Sequence, residues 1–235
     1  MYSVKRRFRL FRSVALSFLN PSLTLGSAVT IVDASPFVNG GRSYSFIESA
    51  TSFISTPGGN DWQFGTGDFT VEWFSQNIGD SLGPIFGVGT DVRTSIALDG
   101  VNGSSGIYVS DNITRFNSFG VVASGVWYHI AIVRQNGVVR LFRNGTDYNN
   151  EGYSDPADIN DTTSPFVVGN TTPFASNKAF IGYITNLRVV KGLAVYTDTF
   201  TRPTGPLTGT AGANPFGGSN TVAIPQGFTK LLLAP

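Results

Sequence analysis

The chain has 235 residues and a net charge of +1, with 28 glycines, 13% aromatic and 13% charged side chains, and no cysteine. The length suits one large domain with extensions, and the lack of cysteine excludes a disulfide scaffold and thiolate chemistry. No run of about 18 consecutive apolar residues is present, so no membrane-spanning helix is expected.

The charge is unevenly placed. Lys5, Arg6, Arg7, Arg9 and Arg12 all precede the first acid, Asp33. Setting those five aside leaves eleven Lys and Arg against fifteen Asp and Glu, a body near −4. Specific nucleic-acid binding by the body is therefore not expected.

Residues 1–20 begin basic and continue apolar, as a secretory signal does, and Gly26-Ser27-Ala28 has the small side chains of a cleavage site. Phe8, Phe11, Ala15 and Phe18 share one helical face. Such a segment can also lie on a membrane, contact nucleic acid or stay disordered. The expectation is a retained docking arm whose assembly contacts are Arg6, Arg7, Phe8, Arg9, Phe11 and Phe18. Ordering a backbone costs roughly 1–2 kcal/mol per residue, which burial against a partner would have to offset.

Residues 21–41 read as a linker, with 28–32 its one β-rich piece. From Ser43 onward, strand patterns recur between Gly, Asn, Asp and Pro breaks. Phe69, Val71 and Trp73 alternate with Thr70, Glu72 and Phe74, as a half-buried strand requires. Further strands are predicted at 85–88, 95–98, 106–109, 127–134, 138–143, 165–169 and 180–190. Asn136-Gly137 predicts a tight hairpin, because both turn positions need positive φ. The predicted core comprises Phe69, Val71, Trp73, Ile130, Ile132, Leu141, Ile184, Leu187 and Val189, some facing a second sheet and others the convex side.

Three segments occur in a telling order: 64–74 (FGTGDFTVEWF), 125–145 (GVWYHIAIVRQNGVVRLFRNG) and 181–208 (IGYITNLRVVKGLAVYTDTFTRPTGPLT). Together they resemble laminin-G-like, concanavalin A-like domains over roughly residues 42 to 208, with 229–234 as a final strand. The resemblance implies an all-β, antiparallel jelly-roll sandwich. It divides the chain into an arm and linker (1–41), the jelly roll (42–208), and a Gly/Pro-rich insertion with closing strand (209–235). Residues 208–227 depart from the family pattern, which passes quickly from the Pro-bounded exit to the last strand. They are expected to form a surface loop or a second assembly contact.

That fold hosts lectins, glycosidases and inert spacers, so chemistry must be argued from residues. Jelly-roll glycosidases carry paired carboxylates at alternate strand positions. Here the glutamates are Glu48, Glu72 and Glu151, none with an acid two residues away, so no enzymatic activity is expected. His129 is the single histidine, and the resemblance makes it a packing or edge residue. One His with no Cys cannot build a conventional zinc site. A Ser–His–Asp triad lacks its nucleophile elbow. Asp155, Asp158, Asn160 and Asp161 form an oxygen-rich loop that could hold calcium or simply turn. Asn186 stands where many relatives carry Asp, which weighs against a metal. Trp62, Tyr108, Tyr148 and Tyr153 fall near loops or strand ends, where exposed rings could meet a pyranose face.

Similar domains recur in bacterial surface proteins and bacteriophage structural proteins. The expected function is a non-catalytic virion component, on capsid or tail, docked by its arm and homo-oligomeric, with the jelly roll contacting host glycans. The alternative is a free or cell-surface carbohydrate-binding module.

Overall fold

The computed structural model describes residues 22–78, 84–88, 96–101, 104–109, 114–116, 123–148, 152–154, 158–159, 164–170, 179–210 and 220–235. In chain order its strands are β1 (Thr24–Leu25), β2 (Thr30–Val32), β3 (Ser43–Phe46), β4 (Ile54–Ser55), β5 (Phe69–Asn77), β6 (Pro84–Val88), β7 (Ile96–Val101) and β8 (Ser104–Val109). There follow β9 (Thr114–Phe116), β10 (Trp127–Gln135), β11 (Val138–Arg143), β12 (Thr146–Asp147), β13 (Tyr153–Ser154), β14 (Phe166–Val168), β15 (Gly182–Lys191) and β16 (Thr229–Leu233). A single 3-10 turn, Asn60–Trp62, is the helical element among the described residues.

Two antiparallel sheets form the jelly roll. One runs β1-β4-β14-β6-β7-β8-β9; the other runs β12-β11-β10-β5-β15-β3-β2, with β13 on β11 and β16 on β15. Strands β1 and β2, upstream of residue 42, pair into the first and second sheet respectively. The β10–β11 hairpin turns at Asn136 (φ 51) and Gly137 (φ 74), as the dipeptide predicts. Asp68 Oδ1 accepts the Asn136 N–H at 2.8 Å and ties that turn to the start of β5.

All nine predicted core residues are buried in one cluster between the sheets, none on the convex side. Trp73 meets Phe86 edge-on at 5.5 Å, Phe86 stacks on Phe166 at 5.4 Å, and Trp62 covers Phe166 at 5.0 Å. Each such side chain, fully buried, contributes roughly 1.5–3 kcal/mol. This aromatic column joins β5 of one sheet to β6 and β14 of the other.

A β-bulge in β15 decides what faces outward. Thr185 lies opposite Phe74 on β5 and Arg188 opposite Glu72, so Asn186 and Leu187 share the place facing Trp73. Asn186 takes the left-handed conformation, φ 51, which Asn tolerates better than most residues. The extra residue resets the alternation: Leu187 and Val189 join the inter-sheet core, and Arg188 points to the opposite face.

That opposite face of the second sheet is also covered. After β15 the chain turns at Gly192 and crosses back as a strap, residues 193–208, with 220–228 returning alongside. Tyr196 pairs with Thr221, and Val222 N–H donates to Val195 O at 2.7 Å. Val195, Tyr196, Phe200 and Ile224 bury Ala131, Val133, Phe142 and Val190 beneath the strap. Of the 208–227 stretch expected to be a surface loop or an assembly contact, residues 220–227 run over the strap, exposed except at Thr221 and Ile224, and 211–219 fall outside the described residues.

Candidate functional site

The chemistry-bearing residues collect under that strap. Glu72 is central on β5, and its parity is opposite to Val71 and Trp73, so its carboxylate leaves the inter-sheet core. His129, on neighbouring β10, has the same parity, and Arg188 is brought there by the bulge. Tyr196 comes from the strap.

Glu72 Oε2 accepts the Tyr196 hydroxyl at 2.7 Å and lies 2.9 Å from His129 Nε2. Glu72 Oε1 accepts both Nε (2.9 Å) and Nη2 of Arg188. The third guanidinium nitrogen, Nη1, donates to Thr208 O at 2.7 Å. Glu72 and His129 are both 0% exposed. Burial pushes the Glu72 carboxyl up, but Arg188, His129 and Tyr196 together outweigh it and hold the group at about 2. Burial likewise lowers His129 despite the opposing pull of Glu72, so the ring is neutral near pH 7. A neutral ring that donates from Nε2 keeps its lone pair on Nδ1, which has no partner.

The arrangement binds charge without exposing it. Both carboxylate oxygens are occupied by donors, and the Glu72–Arg188 pair is neutralised internally. The outer cover is closed by Tyr196 and Phe200, stacked at 3.6 Å, with Phe200 edge-on to His129 at 5.8 Å. Thr70 Oγ1 accepts Val195 N–H and donates to Leu193 O, and Gly145 O accepts Phe200 N–H at 2.9 Å. Asn186 Oδ1 accepts Leu207 N–H at 2.8 Å, so the bulge residue also anchors the strap.

Sequence reasoning named Glu72 and His129 separately and missed their pairing, along with Arg188 and Tyr196. Their strand parity was readable, but the bulge that delivers Arg188 was not.

Other candidates fare differently. Trp62, taken as a possible exposed platform, is 1% exposed and donates from Nε1 to Pro57 O at 2.8 Å; it is core. Tyr148 and Tyr153 are exposed, and the Arg143 guanidinium lies 4.1 Å over the Tyr148 ring. The Tyr108 side chain, Asp155, Asn160, Asp161, Glu151 and all six arm residues lie outside the described residues. Asp158 is exposed beside Gly65. Among the described residues no group of three or more His, Asp or Glu is placed to hold a metal ion.

Comparison with known proteins agrees with this architecture. The family model of the concanavalin A-like lectin/glucanases superfamily matches residues 48–220. Domain 4 of AbnA, a GH43 extracellular arabinanase from Geobacillus stearothermophilus solved with arabinotriose, superposes with a TM-score of 0.56 at 17% identity, over 74% of this chain and 82% of that one. The binding domain of Paraclostridial Mosquitocidal Protein 1 gives 0.55 at 18% identity, over 76% and 46%. The Botulinum neurotoxin serotype G binding domain gives 0.52 at 13%, over 76% and 45%, so this chain spans under half of either toxin domain. No curated protein matches the chain.

Proposed function

The chain belongs to the concanavalin A-like lectin/glucanases superfamily, and from that premise we propose that it is a non-catalytic glycan-binding domain. The observation that carries this reading is the closed donor set on Glu72, whose two oxygens are both engaged at 0% exposure. A glycosidase acid or nucleophile must reach a glycosidic bond, and a second carboxylate must stand about 5–9.5 Å away. Glu72, at 0% exposure, offers no such access. The arabinotriose complex of the AbnA domain supports a saccharide as the class of ligand. An array of neutral and acidic glycans probed with the full chain tests the reading: retention without release of shortened sugars is expected, and no retention overturns it.

The setting we propose is a virion surface, as a capsid decoration or tail appendage that is homo-oligomeric and docked by residues 1–20. Five cations and a spaced phenylalanine face in that segment support it. Deleting residues 1–20 should leave a folded sandwich that no longer incorporates into particles. Normal incorporation of the truncated chain would overturn the docking role.

A further inference from the structure

Toward one end of the covered sheet Leu207 of the strap packs with Phe74 and Leu232, and the partly buried Phe37 and Trp127 lie against the same cluster. One step beyond Phe74 lies a transverse row of residues on the same outward face. Register places Trp127 opposite Gln76, Gln76 opposite Tyr183, Tyr183 opposite Ser45, and Ser45 opposite Thr30. The row therefore crosses five strands, β10-β5-β15-β3-β2, a span of about 19 Å at the usual strand spacing.

Its chemistry is distinctive. Trp127 and Tyr183, both half-buried, have near-parallel rings with centroids 6.3 Å apart and an interplanar angle of 28°. Between them Gln76 Nε2 is fixed on Gly125 O at 2.7 Å, which leaves Oε1 as an acceptor without a donor among the described residues. Trp62 and Trp73 donate their indole N–H groups to Pro57 O and Ser75 Oγ, whereas Trp127 Nε1 and the Tyr183 hydroxyl find no partner among the described residues. No member of the row is charged. Ile78, just past the end of β5, is exposed.

We infer that this row, centred on Trp127, Gln76 and Tyr183, is the seat of a neutral saccharide chain lying across the strands. The inference rests on the glycan-binding reading above and gives it a place. Aromatic faces supply apolar area for the C–H face of a pyranose or furanose ring. The unpartnered indole N–H, amide oxygen and hydroxyl supply hydrogen bonds at the ring's edge. The row itself carries no charge to pair with a sulfated or acidic glycan, and the nearby Arg202 guanidinium is seated over the Phe74 ring.

The test uses the full chain labelled with 15N, which has three indole signals. It is titrated with arabinotriose, cellohexaose and any neutral glycan retained on the array, with trigalacturonic acid as the acidic control. One indole signal should move, the one missing in Trp127→Phe, while those of Trp62 and Trp73 stay fixed. Trp127→Ala should weaken the calorimetric Kd at least tenfold, with unshifted Trp62 and Trp73 indoles reporting an intact fold. Should that variant not fold, Tyr183→Ser is expected to give the same loss. Binding by the wild type with the Trp127 indole unmoved and both variants unaffected would overturn this site but leave the glycan-binding function. Failure to bind any neutral glycan would overturn both, and tighter binding of the acidic control would overturn the neutral ligand.

Discussion

Tyr196 on the strap donates its hydroxyl to Oε2 of Glu72, a residue 124 positions earlier and in the centre of the sheet, at 2.7 Å. Burial first, then the Glu72 charge, keeps that phenol far from ionising, so it remains a donor. Tyr196→Phe keeps the stack on Phe200 and deletes only the bond. A hydrogen bond to a buried charged group is worth about 1.5–3 kcal/mol. Urea unfolding should show a loss of that size with unchanged cooperativity.

Acid should unfold the protein in two stages. His129 has a lowered pKa in the fold, so the unfolded chain takes up a proton first and stability falls as pH drops below about 6.5. Glu72, at about 2 in the fold, contributes stability that is complete above its usual 4.5 and is lost as pH falls toward 2. That second stage amounts to about 3 kcal/mol. Glu72→Gln should abolish it while costing about 3–5 kcal/mol at neutral pH, because Arg188 is left buried without its counter-charge. Denaturation midpoints measured from pH 7 to pH 2 check both.

Gly145 sets how closely the strap can lie. Its φ is +84, and a Cβ there would stand 2.0 Å from the carbonyl oxygen of Phe200. Gly145→Ala should displace the strap near Phe200 and leave the inter-sheet core intact. Hydrogen exchange at residues 195–202 should accelerate at least tenfold, while β5 and β10 amides that face one another stay protected.

The inter-sheet face of the fold was legible because its code is local. Alternation gave β5, Asn136-Gly137 gave the hairpin, and three ordered segments gave the family. The outward face was not, because its code is non-local. Arg188 joins Glu72 only because Asn186 forms a bulge, and ITNLRVV shows no regular period that would reveal one. Trp62 looked like loop surface because its neighbours are Gly59, Asn60 and Asp61, yet it closes the core over Phe166. Trp127 and Tyr183 are separated by 56 positions, and only register through Gln76 brings them together. The 181–208 segment carried the family resemblance; the structure gives part of it the work of sealing Glu72.

The central claim is that this domain holds a glycan without cleaving it. Native mass spectrometry of the 235-residue chain, incubated for hours with the neutral oligosaccharides retained on an array, tests it most directly. The account predicts a protein–sugar complex in which the sugar keeps its starting mass throughout. Shortened sugars that vanish in Glu72→Gln, or no complex with any glycan, would contradict it.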